Sequence, residues 1–148
     1  MKIIIASVLL LVTGLVFADT GLIKKQSPYT PAETLDRLEK VLKEKGITVF
    51  ARVNHKVNAE SVGLVLRPTE LLIFGNPELG THLINSHQTV GIDLPMKVLT
   101  WQDDNFQTWI AYNDPQYMAS RHDITNRDPI VTKMQGALNM LTNRAIEK

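Results

Sequence analysis

Residues Leu71-Leu72-Ile73-Phe74 form an unbroken apolar run, closed upstream by Pro68 and downstream by Gly75-Asn76-Pro77. A run this short, apolar on both alternating faces and bounded by turn residues, suits a central strand covered on both sides. Asn76 is a good helix N-cap and Pro77 a good first helical residue, so the chain turns straight into a helix reaching about residue 87, with Leu79, Leu83 and Ile84 inward. Gly80 weakens that helix near its start. Upstream, residues 21–27 read as an edge strand because of Lys24-Lys25. Thr30, Pro31 and Glu33 spell a capping box, and Leu35, Leu38, Val41 and Leu42 recur at helical spacing up to Gly46. Ile47, Val49, Ala51 and Val53 alternate with Thr48, Phe50, Arg52 and Asn54, which predicts a strand with one buried face. Between these strands, Ala59, Val62 and Leu66 fit a short helix.

Beyond residue 88 the pattern gives a loop over 89–95, then strands over 97–102 and 106–113. Asp103-Asp104-Asn105 joins them as a three-residue hairpin connection, with Asn105 in the left-handed position. Asp114-Pro115 opens a short helix to about residue 121. Asp128-Pro129 opens the last one, whose inward stripe is Met134, Ala137, Leu138 and Leu141. There is no internal repeat, low-complexity stretch or linker. The expected architecture is one α+β domain.

The first residues change the picture of where this domain works. Met1-Lys2, an apolar run over 3–16 and Val16-Phe17-Ala18 before Asp19 describe a signal peptide over 1–18, leaving 19–148 as an exported, periplasmic or secreted chain. Removing Lys2 balances the basic and acidic side chains, since the full chain carries 16 Lys plus Arg against 15 Asp plus Glu. A neutral surface without a basic cluster argues against nucleic acid as a partner. The chain has no cysteine, so neither a lipidated N-terminus nor disulfides are available and the apolar core must hold the fold alone.

Several segments carry a family resemblance. Residues 67–77, Arg67-Pro68-Thr69-Glu70-Leu71-Leu72-Ile73-Phe74-Gly75-Asn76-Pro77, are followed by Gly80-Thr81 and Gly91-Ile92-Asp93-Leu94-Pro95-Met96-Lys97. With Arg52-Val53-Asn54-His55 and Tyr112-Asn113-Asp114-Pro115, they resemble domain of unknown function 302 over roughly 21–148. The resemblance implies a TATA-box-binding-protein-like two-layer fold: a curved antiparallel sheet of about five strands with helices on one face. It implies no activity, and its likeness to a DNA-binding fold does not transfer function.

The chemistry-bearing residues inside these segments are His55, Arg67, Glu70, Asn76, Asp93 and Lys97. Charges at strand ends can converge without filling the core, so Glu70 is expected within salt-bridge reach of Arg67 or Lys97, beside a concave pocket that includes His55 or Asn76. The alternative is a structural ion-pair network, because buried charge is costly unless paired. Gly75-Asn76-Pro77 with Gly80-Thr81 could seat an anion at a helix start, although ordinary caps are commoner. His55, His82, His87 and His122 lack zinc-ligand spacing, and no phosphate loop or G-x-S-x-G elbow is present. No cofactor or metal is expected. The leading expectation is a module binding a small molecule or anion. The alternatives are a hydrolase or lyase using Glu70 or His55 as general base, and a protein-interaction domain. A homodimer is compatible with all three.

Overall fold

The computed structural model describes residues 20–148, so the signal peptide expected over 1–18 lies outside the described residues. The elements run β1 (Leu22–Ser27), α1 (Pro31–Glu44), β2 (Thr48–Asn54), α2 (His55–Ser61), β3 (Thr69–Gly75) and α3 (Pro77–Ser86). A 3-10 turn (Gln88–Ile92) follows, then β4 (Met96–Gln102), β5 (Thr108–Asn113), α4 (Pro115–Arg121) and α5 (Asp128–Ile146). The strands form one antiparallel sheet in the order β1-β5-β4-β3-β2.

Local chemistry explains most starts. The Thr30 hydroxyl accepts from the Glu33 backbone N–H, and the Glu33 carboxylate accepts in return from the Thr30 N–H, at 3.3 and 3.0 Å. Asn76 caps α3 by accepting from the Glu78 N–H at 2.9 Å, and Asp114 caps α4 by accepting from the Gln116 N–H at 2.9 Å. The last helix departs from this rule. Asp128 and Pro129 already lie inside α5, and its N-cap, Arg127, makes no side-chain cap bond.

The core lies between the sheet and α1 with α5. Leu35, Leu38 and Leu42 of α1 and Leu138 and Leu141 of α5 meet Leu72, Phe74, Val98 and Ile110 of the sheet. β3 is not the doubly covered strand its apolar run suggests. Its burial alternates, with Glu70, Leu72 and Phe74 under the helices. Leu71 and Ile73 face the other way, and cross-strand partners Leu99, Trp101, Trp109 and Ala111 extend that second face. Trp101 and Trp109 stack there with ring centres 6.5 Å apart.

β2 also departs from its pattern. None of its residues is buried, and it is an outer strand. A bulge between Val49 and Ala51 inserts Phe50 and shifts the alternation. Arg52 opposite Leu72 and Asn54 opposite Glu70 therefore turn to the helix side, while Ala51 and Val53 turn away. In the hairpin the left-handed residue is Phe106, at φ 59°, not Asn105. Asp103 instead organises the turn. Its carboxylate accepts from the Asn105 and Gln107 N–H groups and from Trp109 Nε1, and the Trp109 bond does most to hold it below the usual carboxylate range.

Candidate functional site

At the end of the sheet where β3 finishes and β4 begins lies a cavity of about 290 Å³. Its floor is Phe74, Gly75 and Met96 from the strand ends, with Ile47 and the bulged Phe50 from the edge. Pro77, Leu79, Gly80, Thr81 and Ile84 of α3 form one wall, and Met134, Ala137, Leu138 and Leu141 of α5 the opposite one. Leu94 and Pro95, joined by a cis peptide bond, close a third side. No charged side chain lines it. The sequence builds this space in a simple way. β3 stops at Gly75, Asn76 and Pro77 start α3 at once, and the Leu94-Pro95 pair brings the chain back beside it before β4.

Asn76 stands in this wall; the other predicted site residues do not line the cavity. His55 opens α2 and Glu70 sits near the start of β3, five residues from Gly75 along the strand, hence about 17 Å away. The expected pairing of Glu70 with Arg67 or Lys97 is corrected by the register. Glu70 lies opposite Thr100 and Ile73 opposite Lys97, an offset of three rungs, so Glu70 and Lys97 project from opposite faces of adjacent strands. The Lys97 ammonium donates to the Asp93 and Pro95 carbonyls at 3.1 Å each. Arg67 pairs with Asp104 on the hairpin.

The partner of Glu70 is Arg52, which the shifted alternation of β2 swings to the helix side. Its guanidinium reaches Glu70 at 2.8 Å, Asp36 at 2.6 Å and Glu39 at 3.2 Å, and donates to the Ala32 carbonyl at 3.2 Å. Burial pulls the Arg52 pKa down, but the bonds to Asp36 and Glu70 outweigh it and raise it above its ordinary value. The arrangement bolts α1 to β2 and β3, which is the structural alternative for Glu70. Asp93 is held elsewhere again. Its carboxylate accepts from His122 Nε2 at 2.6 Å and from Arg121 at 3.2 Å, joining the loop before β4 to the end of α4.

Sequence reasoning missed Arg52 and His122, as well as the apolar walls from Phe50 and α5. The first signal was available, since Arg52 stands within the family pattern. The others depend on a bulge and on contacts between distant segments. Among the described residues no group of three or more metal-ligating side chains converges. No helix among them is long and apolar enough to cross a membrane.

The molecule is thus a two-layer α+β domain, an open five-stranded sheet backed by helices, with an apolar cavity at one end. The chain belongs to the family described as Domain of unknown function DUF302, whose model matches residues 23–141. Its backbone is similar to the crystal structure of an uncharacterized conserved protein DUF302 from Bacillus stearothermophilus, with a TM-score of 0.76 and 22% identity, covering 86% of this chain and 99% of that one. In sequence it is 43% identical over 106 residues to Fluoride-specific ion channel FluC 1 of Brucella suis biovar 1, covering 72% of this chain and 42% of that protein. A FluC 1 of Brucella abortus biovar 1 matches at 43% over 106 residues, 72% of this chain and 39% of that protein. The chain thus matches about two fifths of the length of these curated relatives.

Proposed function

We propose that this domain binds a small, uncharged, mainly apolar molecule in the cavity between α3 and α5. One observation carries the reading. Gly75-Asn76-Pro77, Gly80-Thr81 and Leu94-Pro95-Met96, separate pieces of the family signature, all line the same cavity. At about 290 Å³ it sits near the lower end of the ligand-pocket range, which suits a compact ligand. An anion fits less well, because the Asn76 side chain already caps α3 and no cation faces the space. A general-base role for Glu70 fits less well still, since Glu70 is paired with Arg52 and lies away from the cavity. The N-terminal sequence supports an exported setting, with a ligand met outside the cytoplasm.

The test is a titration of the mature chain with indole and with toluene, followed by amide chemical shifts. The expected shifts gather at Gly75, Gly80 and Ala137 and vanish in Ala137→Trp, which fills the space from α5. Shifts gathered instead around Trp101 and Trp109, or none at all, refute the reading.

A second reading is favoured by the Brucella relatives. There, sequence like this chain occupies about two fifths of proteins named as fluoride channels. The half-buried apolar face carrying Leu71, Leu99, Trp101 and Trp109 would then pack on a partner chain. Cross-linking through a photoreactive group placed at Leu99 distinguishes this case, because a ligand module gives no adduct.

A further inference from the structure

Beside the loop that Asp93 anchors, two side chains four residues apart, Thr89 and Asp93, are bridged by the distant His122 in a continuous hydrogen-bonded line. The Asp93 carboxylate meets His122 Nε2 at 2.6 Å, and His122 Nδ1 meets the Thr89 hydroxyl at 2.8 Å. A second imidazole, His87 through Nδ1, meets the same hydroxyl at 2.7 Å. Asp93 comes from the loop before β4, His122 from the end of α4, and Thr89 from the 3-10 turn. His122 is 7% exposed, whereas Thr89 lies at the surface.

Proton directions follow from the acceptors. A carboxylate only accepts, so Nε2 of His122 carries a proton, and in the neutral tautomer this leaves Nδ1 with its lone pair toward Thr89. In that tautomer Thr89 donates to Nδ1, and its oxygen is free to accept from a proton on His87 Nδ1. The order is carboxylate, buried imidazole, solvent-facing hydroxyl, the relation that makes a hydroxyl nucleophilic when a base removes its proton in step with attack. Arg121, on the outer side of the carboxylate at 3.2 Å, fixes the far end of the line. Burying His122 requires a partner for each ring nitrogen. It does not require the partner to be an exposed hydroxyl already bonded by an exposed imidazole that water could satisfy.

We propose that Thr89, His122 and Asp93 form an acyl-transfer centre with Thr89 as nucleophile, His122 as general base and acid, and Asp93 as the residue that positions it. The substrate class is a small carboxylic ester. Thr89 Oγ1 attacks the ester carbonyl while its proton passes to His122 Nδ1. The tetrahedral adduct collapses with loss of the alkoxide, which takes that proton and leaves as the alcohol. Water, deprotonated by His122, then cleaves the acyl-Thr89 ester, and the proton on Nδ1 returns to the threonine oxygen. No redox partner or metal enters the balance.

The test uses the mature chain with p-nitrophenyl acetate, following nitrophenolate release and mapping the acetyl group by peptide mass spectrometry. The expected result is acetyl on Thr89, a rate falling about tenfold or more in Thr89→Ala, and a rate retained in Thr89→Ser. Acetyl on histidines or lysines alone, or an unchanged rate in Thr89→Ala, overturns the proposal. The acetyl map of the unaltered chain decides the matter even if a variant folds poorly.

Discussion

The Arg52 cluster makes an asymmetric prediction about its two halves. Glu70 is 7% exposed, and Arg52 is the cation that meets it. Arg52→Met keeps most of the aliphatic stem but strands that carboxylate under α1. Breaking a buried pair from the side that leaves a charge behind costs about 3 kcal/mol. Glu70→Gln is milder. The amide oxygen can still accept from Arg52 Nε, now 2.8 Å from the carboxylate, and the guanidinium keeps Asp36 at 2.6 Å and Glu39 at 3.2 Å. Its cost should be about 1 kcal/mol, the worth of one weakened hydrogen bond. For a domain of this size the larger loss lowers Tm by about 10 °C and the smaller by about 4 °C. Urea unfolding near pH 7, read by tryptophan fluorescence, gives both values, and the double variant gives the coupling. Equal costs, or a larger cost for Glu70→Gln, would show that the cluster is not centred on Arg52 and refute the reasoning.

Two further outcomes follow from local geometry. Thr30→Ala should cost about 1 kcal/mol through loss of the α1 cap, measured as a lower urea midpoint. The same bonds give a pH signature. The Thr30 N–H, then its hydroxyl, hold the Glu33 carboxyl below its ordinary value of 4.5. A depressed carboxyl contributes stability that is present above 4.5 and lost as pH falls through the folded value, so Thr30→Ala, which removes the hydroxyl bond and keeps the larger backbone one, should flatten the acid limb of stability against pH in part. A parallel curve for the variant would rule this out. Gly21 and Gly46 both sit at φ +66°, but a Cβ on Gly21 would stand 2.1 Å from the Tyr117 ring while one on Gly46 meets nothing within 4 Å. Gly46→Ala should therefore cost about 1 kcal/mol of backbone strain, and Gly21→Ala clearly more, by comparison of unfolding midpoints.

Much of the fold was legible because its punctuation is local. Thr30-Pro31, Asn76-Pro77 and Asp114-Pro115 announce three helices through bonds made within four residues, and Thr108, Ile110 and Tyr112 do share the buried face of β5, although the strand begins at Thr108 and Phe106 stays exposed in the turn. The errors lie where distant structure overrides local pattern. Nothing around Val49 announces that Phe50 will bulge, yet that insertion decides which way Arg52 points and so which residue satisfies Glu70. Asn76 was legible as a helix cap, and the cavity wall it joins is made by residues that only the fold brings together. His55, Arg67, Glu70 and Lys97 were grouped by proximity in the signature, but the strand parity separating Glu70 from Lys97 needs the register. His122 lay outside every signature segment, so its bond to Asp93 had no trace in the sequence.

The order β1-β5-β4-β3-β2 leaves two strands, β1 and β2, each with one flank of backbone donors and acceptors unpaired within the sheet. Such flanks invite another chain to add itself as a further strand, the first step toward fibrous assembly. Each is blunted here. β2 carries the Phe50 bulge, which breaks the regular spacing a newcomer must match. β1 turns Lys25 toward α5, where its ammonium donates to Asn139, Thr142 and Asn143 at 2.7–3.1 Å and burial lowers its pKa. A register slip by one residue would pull that charge out of its oxygen cage and push Lys24 inward without partners. The addition of a further strand is thus penalised at both borders of the sheet.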